Sequence, residues 1–148
     1  DVMVAMGRPK GDRGSYQQWL EDGIAPQVVF EILSPGNRPG EMLRKLNFYQ
    51  RYGVEEYYIY DPDSNELTGL QRSDKSLQLI SDMNGWVSPL LEIQFRLLAD
   101  DLEIYRPDGE KFLTFIELGN QLSAEKKRVE LLEAKLREMG VDPESFVE

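Results

Sequence analysis

Three side chains in the first third of this chain could do chemistry together: Asp1, Glu31 and Lys45. Glu31 is the lone charge within Val28-Val29-Phe30-Glu31-Ile32-Leu33, an apolar run of strand type, and Asp1 heads a second short run, Val2 to Met6. A carboxylate inside a buried strand is costly unless a cation faces it. If the two strands are neighbours, Asp1, Glu31 and the backbone carbonyl of Ile32 could offer three oxygens to magnesium, or to manganese in its place. That leaves coordination positions for water and a phosphate oxygen. Lys45, about two turns into the helix that follows, could orient or deprotonate an attacking water, or stabilise charge developing at phosphorus. Such parts suit metal-dependent cleavage of phosphodiesters. The same spacing is met equally well by a salt bridge between a strand glutamate and a helix lysine. Residue types alone leave the two readings level.

Composition narrows the chemistry further. The 148 residues contain neither histidine nor cysteine. Catalytic triads, imidazole bases, thiolate zinc sites and disulfides are therefore excluded, which leaves carboxylates, lysine, hydroxyls and hard cations held by oxygen. A net charge of −10 weighs against nucleic acid as a partner, because phosphates must be met by cations. The charge is unevenly spread, however. Residues 1–54 hold seven Lys/Arg against six Asp/Glu, and the remainder ten against twenty-one, so the acidity lies downstream of the candidate site. No apolar run reaches the length of a bilayer span, and a cytoplasmic protein is expected. The chain opens on Asp1, at the start of a strand, and an upstream portion is expected to precede it.

The elements that must position these residues follow from periodicity and punctuation. A strand is predicted at Val2–Met6, then a loop to Ala25 with a helical turn near Tyr16–Leu20. A central strand over Gln27–Leu33 ends sharply at Ser34-Pro35-Gly36-Asn37. The spacing predicts a helix over Pro39–Tyr52, with proline in its first turn and Gly53 at its end. Its buried face would be Met42, Leu46 and Tyr49, with Leu43 and Phe48 beside them, and Glu41 would pair with Lys45 on its surface. A parallel strand at Glu56–Tyr60 completes a βαβ unit, closed by the turn Asp61-Pro62-Asp63-Ser64-Asn65. Antiparallel strands are expected near Glu66–Gln71, Leu77–Ile80 and Gly85–Val87. Leu102–Arg106 and Glu110–Leu113 should form a hairpin around Pro107-Asp108-Gly109.

A helix is predicted from Thr114 to Met139, stopped by Gly140. Its apolar residues Phe115, Leu118, Leu122, Val129, Leu132, Leu136 and Met139 step alternately by three and four, and Glu125 interrupts them. Over about three heptads this favours a coiled-coil seam and a homodimer over a helix docked on its own sheet. Two domains are expected, 1–113 and 114–148, the second serving oligomerisation.

Phe30-Glu31-Ile32-Leu33-Ser34-Pro35, Lys45-x-x-x-Tyr49 and Tyr52-Gly53-Val54-Glu55-Glu56-Tyr57-Tyr58-Ile59-Tyr60-Asp61-Pro62 closely resemble the Uma-type family of bacterial restriction endonucleases. That family is placed in the PD-(D/E)XK nuclease superfamily. The resemblance covers roughly residues 1–62, and the tail Leu136-Arg137-Glu138-Met139-Gly140-Val141-Asp142-Pro143-Glu144 is similar to that of long members. It implies that Asp1 and Glu31 match the metal-binding carboxylates. The usual motif lysine is replaced by Leu33, and Lys45 matches a lysine that family members carry on the next helix. The proline that normally precedes the aspartate is absent.

The expectation is an α/β (α+β) restriction-endonuclease-like domain, a mixed sheet flanked by helices with an antiparallel extension and a C-terminal amphipathic or coiled-coil helix. Its expected activity is magnesium-dependent hydrolysis of DNA. The alternative is a non-catalytic homo-oligomeric or partner-binding module that keeps the fold.

Overall fold

Two parallel strands on either side of one helix organise the first part of the molecule. In the computed structural model, which describes residues 1–143, these are β2 (Val28–Ile32), α1 (Pro39–Arg51) and β3 (Glu56–Asp61). β2 and β3 pair in parallel, with Glu31 opposite Ile59. Pro39 starts α1 with its φ already helical, and Tyr52 caps the far end by donating its N–H to the Phe48 carbonyl. The chain then reverses through Gly53 at φ +90°, a backbone state that a side chain would strain. β1 (Val2–Val4), β4 (Glu66–Ser73) and β5 (Ser76–Leu79) add antiparallel, giving a five-stranded mixed sheet in the order β1-β2-β3-β4-β5.

Alternation along β2 and β3 sorts their side chains onto two faces. Val29 and Tyr57 pack with Tyr49, Val54, Leu70 and Leu77 on the side covered by α1. Val28 and Tyr58 face the other way, onto Leu67, Met83 and Phe95. Gly69 on β4 lets Met83 come close, because a Cβ there would collide with the Met83 sulfur. Of the face expected for α1, Met42, Leu46 and Tyr49 turn inward, whereas Leu43 and Phe48 are more than half exposed.

Beyond β5 the pairing differs from the pattern predicted. The strand expected at Gly85–Val87 is reduced to one bridge from Val87 to Gln94. An unforeseen strand, β6 (Gln94–Leu97), pairs antiparallel with β7 (Leu102–Tyr105) to make a separate two-stranded extension. The turn at Pro107-Asp108-Gly109 does form, with Gly109 donating to the Arg106 carbonyl, yet its second arm makes only the bridge from Lys111 to Tyr105.

The chain divides after Lys111 into a first compact unit, Asp1–Lys111, and a second that begins at Phe112. The second unit holds α2 (Phe115–Glu138). Thr114 caps it reciprocally: the Glu117 N–H donates to Thr114 Oγ1 at 3.2 Å, and the Thr114 N–H donates to Glu117 Oε2 at 2.8 Å. Gly140, at φ +78°, ends it. No residue of α2 is buried, and Phe115, Leu118, Leu122, Val129 and Leu132 are all exposed. Glu125 pairs within the helix, at 3.9 Å from Arg128. Among the described residues the unit holds one long helix, so a coiled coil would need a second copy. Glu144, the last residue of the tail motif, and the end of the expected second domain lie outside the described residues. Among the described residues no helix is long and apolar enough to cross a membrane.

Candidate active site

The first cue to the site is strand register. β1 runs antiparallel to β2 with Val2 opposite Phe30 and Val4 opposite Val28. Extending that register by one residue sets Asp1 opposite Glu31, and directly opposed residues share a face. Glu31 alternates with Val29, so the shared face is the one that α1 covers. Lys45 reaches this point from the inner side of α1. Its ammonium donates to Glu31 Oε1 and to both Asp1 oxygens, at 3.4 and 3.2 Å. The three residues singled out by sequence therefore meet on one side of the sheet. Glu41 lines the neighbouring cavity, but its expected partner Lys45 is bonded to Glu31 and Asp1 instead.

Burial sets the electrostatics. Glu31 is 2% exposed, and its second oxygen, Oε2, is buried without a hydrogen-bond partner. Burial pushes the Lys45 pKa down, but the hydrogen bond and charge of Glu31 outweigh this and leave it above the ordinary lysine value. Lys45 is thus an ammonium at neutral pH. Tyr57 lies on the same face, its ring 5.0 Å from that of Tyr49, and its buried hydroxyl is also without a partner. Burial raises the pKa of both phenols, and the Glu31 charge raises them further.

Ile32 follows Glu31 at the end of β2. The Leu33 N–H donates to the Tyr60 carbonyl on β3 at 2.8 Å, and the intervening peptide is trans. The Ile32 carbonyl therefore points away from β3, toward the sheet edge where Asp1 lies. The residues present fit a hard cation: two carboxylates, one of them with an orphaned buried oxygen, and the Ile32 carbonyl form an all-oxygen donor set. Among the described residues there is no group of three or more acidic side chains that could hold a metal. Backbone carbonyl and water would have to complete the coordination.

A second buried carboxylate escaped the sequence reading. Glu56, 1% exposed on the opposite face of the sheet, accepts from the Ser88 and Tyr58 hydroxyls and the Leu90 N–H. Trp86 donates its indole N–H to the Tyr58 oxygen at 3.1 Å, which closes the network. Fixed donors meet both Glu56 oxygens, and among the described residues no salt bridge to it is found. The only sequence cue was a charge at the head of a strand, since Ser88 and Leu90 lie more than thirty residues downstream.

Residues 1–103 match the Uma2 family model, described as "Putative restriction endonuclease". The chain belongs to the Uma2 family. The matched stretch contains all three converging side chains and the whole five-stranded sheet. No curated protein matches. Among solved structures, a similar one is the crystal structure of a "putative nuclease belonging to DUF820" from Anabaena variabilis ATCC 29413. It is 21% identical over 45% of this chain and 36% of that one, with a TM-score of 0.34. This Uma2 chain thus spans little more than a third of that protein, and so partial a likeness adds nothing to the assignment.

Proposed function

We propose that this chain carries the catalytic site of a metal-dependent endonuclease that hydrolyses phosphodiester bonds in DNA. The single observation that carries the reading is the Glu31 carboxylate: buried, held by Lys45 through one oxygen and unpartnered at the other. Family membership supports it. Asp1, Glu31 and the Ile32 carbonyl would hold magnesium, or manganese in its place. When bound, the cation would supply Lewis-acid charge to a phosphate oxygen and acidify a water. The Lys45 ammonium would steady negative charge building on the phosphate or orient the attacking water. The Tyr49 and Tyr57 rings exclude bulk water from the inner side of the carboxylates, which strengthens each of these interactions.

Assembly extends the proposal. The exposed stripe of α2 would pair with a second copy, setting two sites against the two strands of a duplex. DNA in the bacterial cytoplasm is the substrate proposed.

One observation favours a second reading, that of a non-catalytic module. Lys45 touches both carboxylates and could serve as their permanent counter-ion. Calorimetric titration with magnesium and manganese separates the two. Uptake that Glu31→Gln abolishes, together with cation-dependent nicking of plasmid DNA lost in Glu31→Gln and Lys45→Met, supports the nuclease. A folded wild-type protein that takes up neither cation and leaves DNA intact supports the scaffold.

A further inference from the structure

Beside the candidate site lies a cavity with aromatic side chains at half of its lining positions. It has a volume of about 500 Å³ and is lined by Tyr16, Trp19, Phe48, Tyr49 and Tyr52 among others. That size falls within the range of small-ligand sites, roughly 300–1,000 Å³. A second cavity, about 460 Å³, shares Phe48 and Tyr49 with it and is lined by Glu41, Arg44 and Lys45. The two meet at those shared rings, and the second carries side chains of both charges.

The aromatic end is built rather than loosely draped. Phe48 and Tyr52 project from α1 with ring centroids 4.6 Å apart. The opposite wall comes from the long loop after β1, where a 3₁₀ turn over Gln18–Leu20 presents Trp19 at 76% exposure. Arg8 and Arg13 both clasp Glu21 at the foot of that turn, at 2.9 and 2.7 Å, and the Tyr16 hydroxyl donates to the Ile24 carbonyl. Aromatic rings kept in the open by ion pairs on the loop that carries them cost solvation free energy without filling the core.

Charge points to the occupant. The protein is acidic overall, yet α1 carries Arg44 and Arg51, besides the Lys45 held by Glu31 and Asp1, against the single acid Glu41. The Arg51 guanidinium lies 5.7 Å from the Tyr52 ring centroid, at the aromatic edge. Flat apolar rings bordered by cations fit a ligand that joins a flat π face to a phosphate. We propose that this cavity takes an unstacked nucleobase of the substrate strand, next to the phosphate that lies over Lys45. The assignment rests on the nucleic-acid reading above and goes further, since it makes an unpaired or easily unpaired base part of the substrate. Neither a bare anion nor an apolar peptide matches both the rings and the arginines that border them.

A pair of probes isolates the base from the phosphates. An eight-residue oligothymidylate and an abasic oligomer of equal length and charge are titrated against the intact protein in EDTA, with Trp19 emission and anisotropy as readouts. Aromatic stacking is worth enough per base to predict at least about tenfold tighter binding of the thymidylate. Trp19→Ala and Phe48→Ala, both at exposed positions, should bring the ratio close to one and leave the abasic affinity unchanged. Equal affinity of the wild type for both probes overturns the proposal. So does a thermally stable Trp19→Ala protein that keeps the full ratio, or a dimer that Trp19→Ala alone dissolves, which would assign the cavity to a second copy. The ratio is independent of cleavage: a tenfold preference in a protein that cuts nothing upholds the pocket and retires only the catalytic role.

Discussion

Lys45 donates to one oxygen of Glu31, fourteen residues earlier in the chain, while the other oxygen of the same buried carboxylate is left without a partner. A counter-ion that satisfies half of a carboxylate leaves the other half available. This distinguishes the pair from an ordinary internal salt bridge, in which both oxygens are spoken for. It also makes the two residues unequal in what their loss should do.

Replacing Lys45 by Met strands the Glu31 charge in the protein interior. Breaking a buried pair in this way costs on the order of 3–5 kcal/mol, and the partial exposure of Lys45 should hold the figure toward the lower end. Glu31→Gln removes the charge as well as the pair and should cost less. The double variant should recover part of the Lys45→Met loss. Urea unfolding of the three proteins reports the ordering directly, and a Lys45→Met protein as stable as wild type would show that Glu31 does not depend on this ammonium.

Stability should fall in alkali. In the folded state Lys45, Tyr49, Tyr57 and Tyr58 all have pKa values raised above those of the free side chains. Each therefore holds its proton more tightly folded than unfolded. Their contribution is fully present below the unfolded values, about pH 10, and is lost as pH climbs through the folded ones. Melting temperatures measured from pH 8 to about 11.5 should be level at first and then drop. Tyr57→Phe should soften the drop, since burial and Glu31 both act on that hydroxyl. A decline that sets in below about pH 9 would need another group.

On the far face of the sheet, Ser88→Ala should loosen the irregular segment around residues 83–93. It removes a buried donor from Glu56 and the acceptor of the Leu91 N–H. A loss of about 1–3 kcal/mol is expected. Near-ultraviolet circular dichroism should also change, because Trp86 is tied to the same network through Tyr58. DNA cleavage per folded molecule should be unaffected, as this carboxylate faces away from Lys45. Lost cleavage in a well-folded Ser88→Ala protein would implicate the wrong face.

Sedimentation tests assembly through α2. The intact chain should run as a dimer at micromolar concentration, and Leu122→Glu combined with Leu132→Glu should return it to a monomer. Both positions are exposed in the single chain, so the substitutions break nothing within it. Burying several such side chains, at roughly 1.5–3 kcal/mol each, exceeds the cost of association at the lower estimates. A wild-type monomer at that concentration would rule the pairing out.

The parts legible in the sequence were those with local punctuation. Pro39 and Gly53 bracket α1, Thr114 and Gly140 bracket α2, and the lone charge of Glu31 in an apolar run marked the strand that carries it. β6 went unseen because only Phe95 of its four residues is buried, and its partner is set by tertiary contact. The hairpin turn at Pro107-Asp108-Gly109 was real but is not extended by a paired strand, since Phe112 and Leu113 stay exposed. Helical spacing matched Glu41 to Lys45, whereas the lysine turns inward to a carboxylate that water cannot solvate. Glu56 could not be recognised at all, because what makes it special is a loop more than thirty residues away.

Among the described residues β1, Val2–Val4, is the edge of the sheet and pairs with β2 alone. Short edge elements of this kind open locally far more readily than the strands behind them. Asp1 adjoins this strand, so the pairing of the two carboxylates depends on how far β1 stays closed against β2. The apparent affinity of any ligand held by the pair is diluted by the closed fraction, and a ligand that bridges them fastens the strand in return.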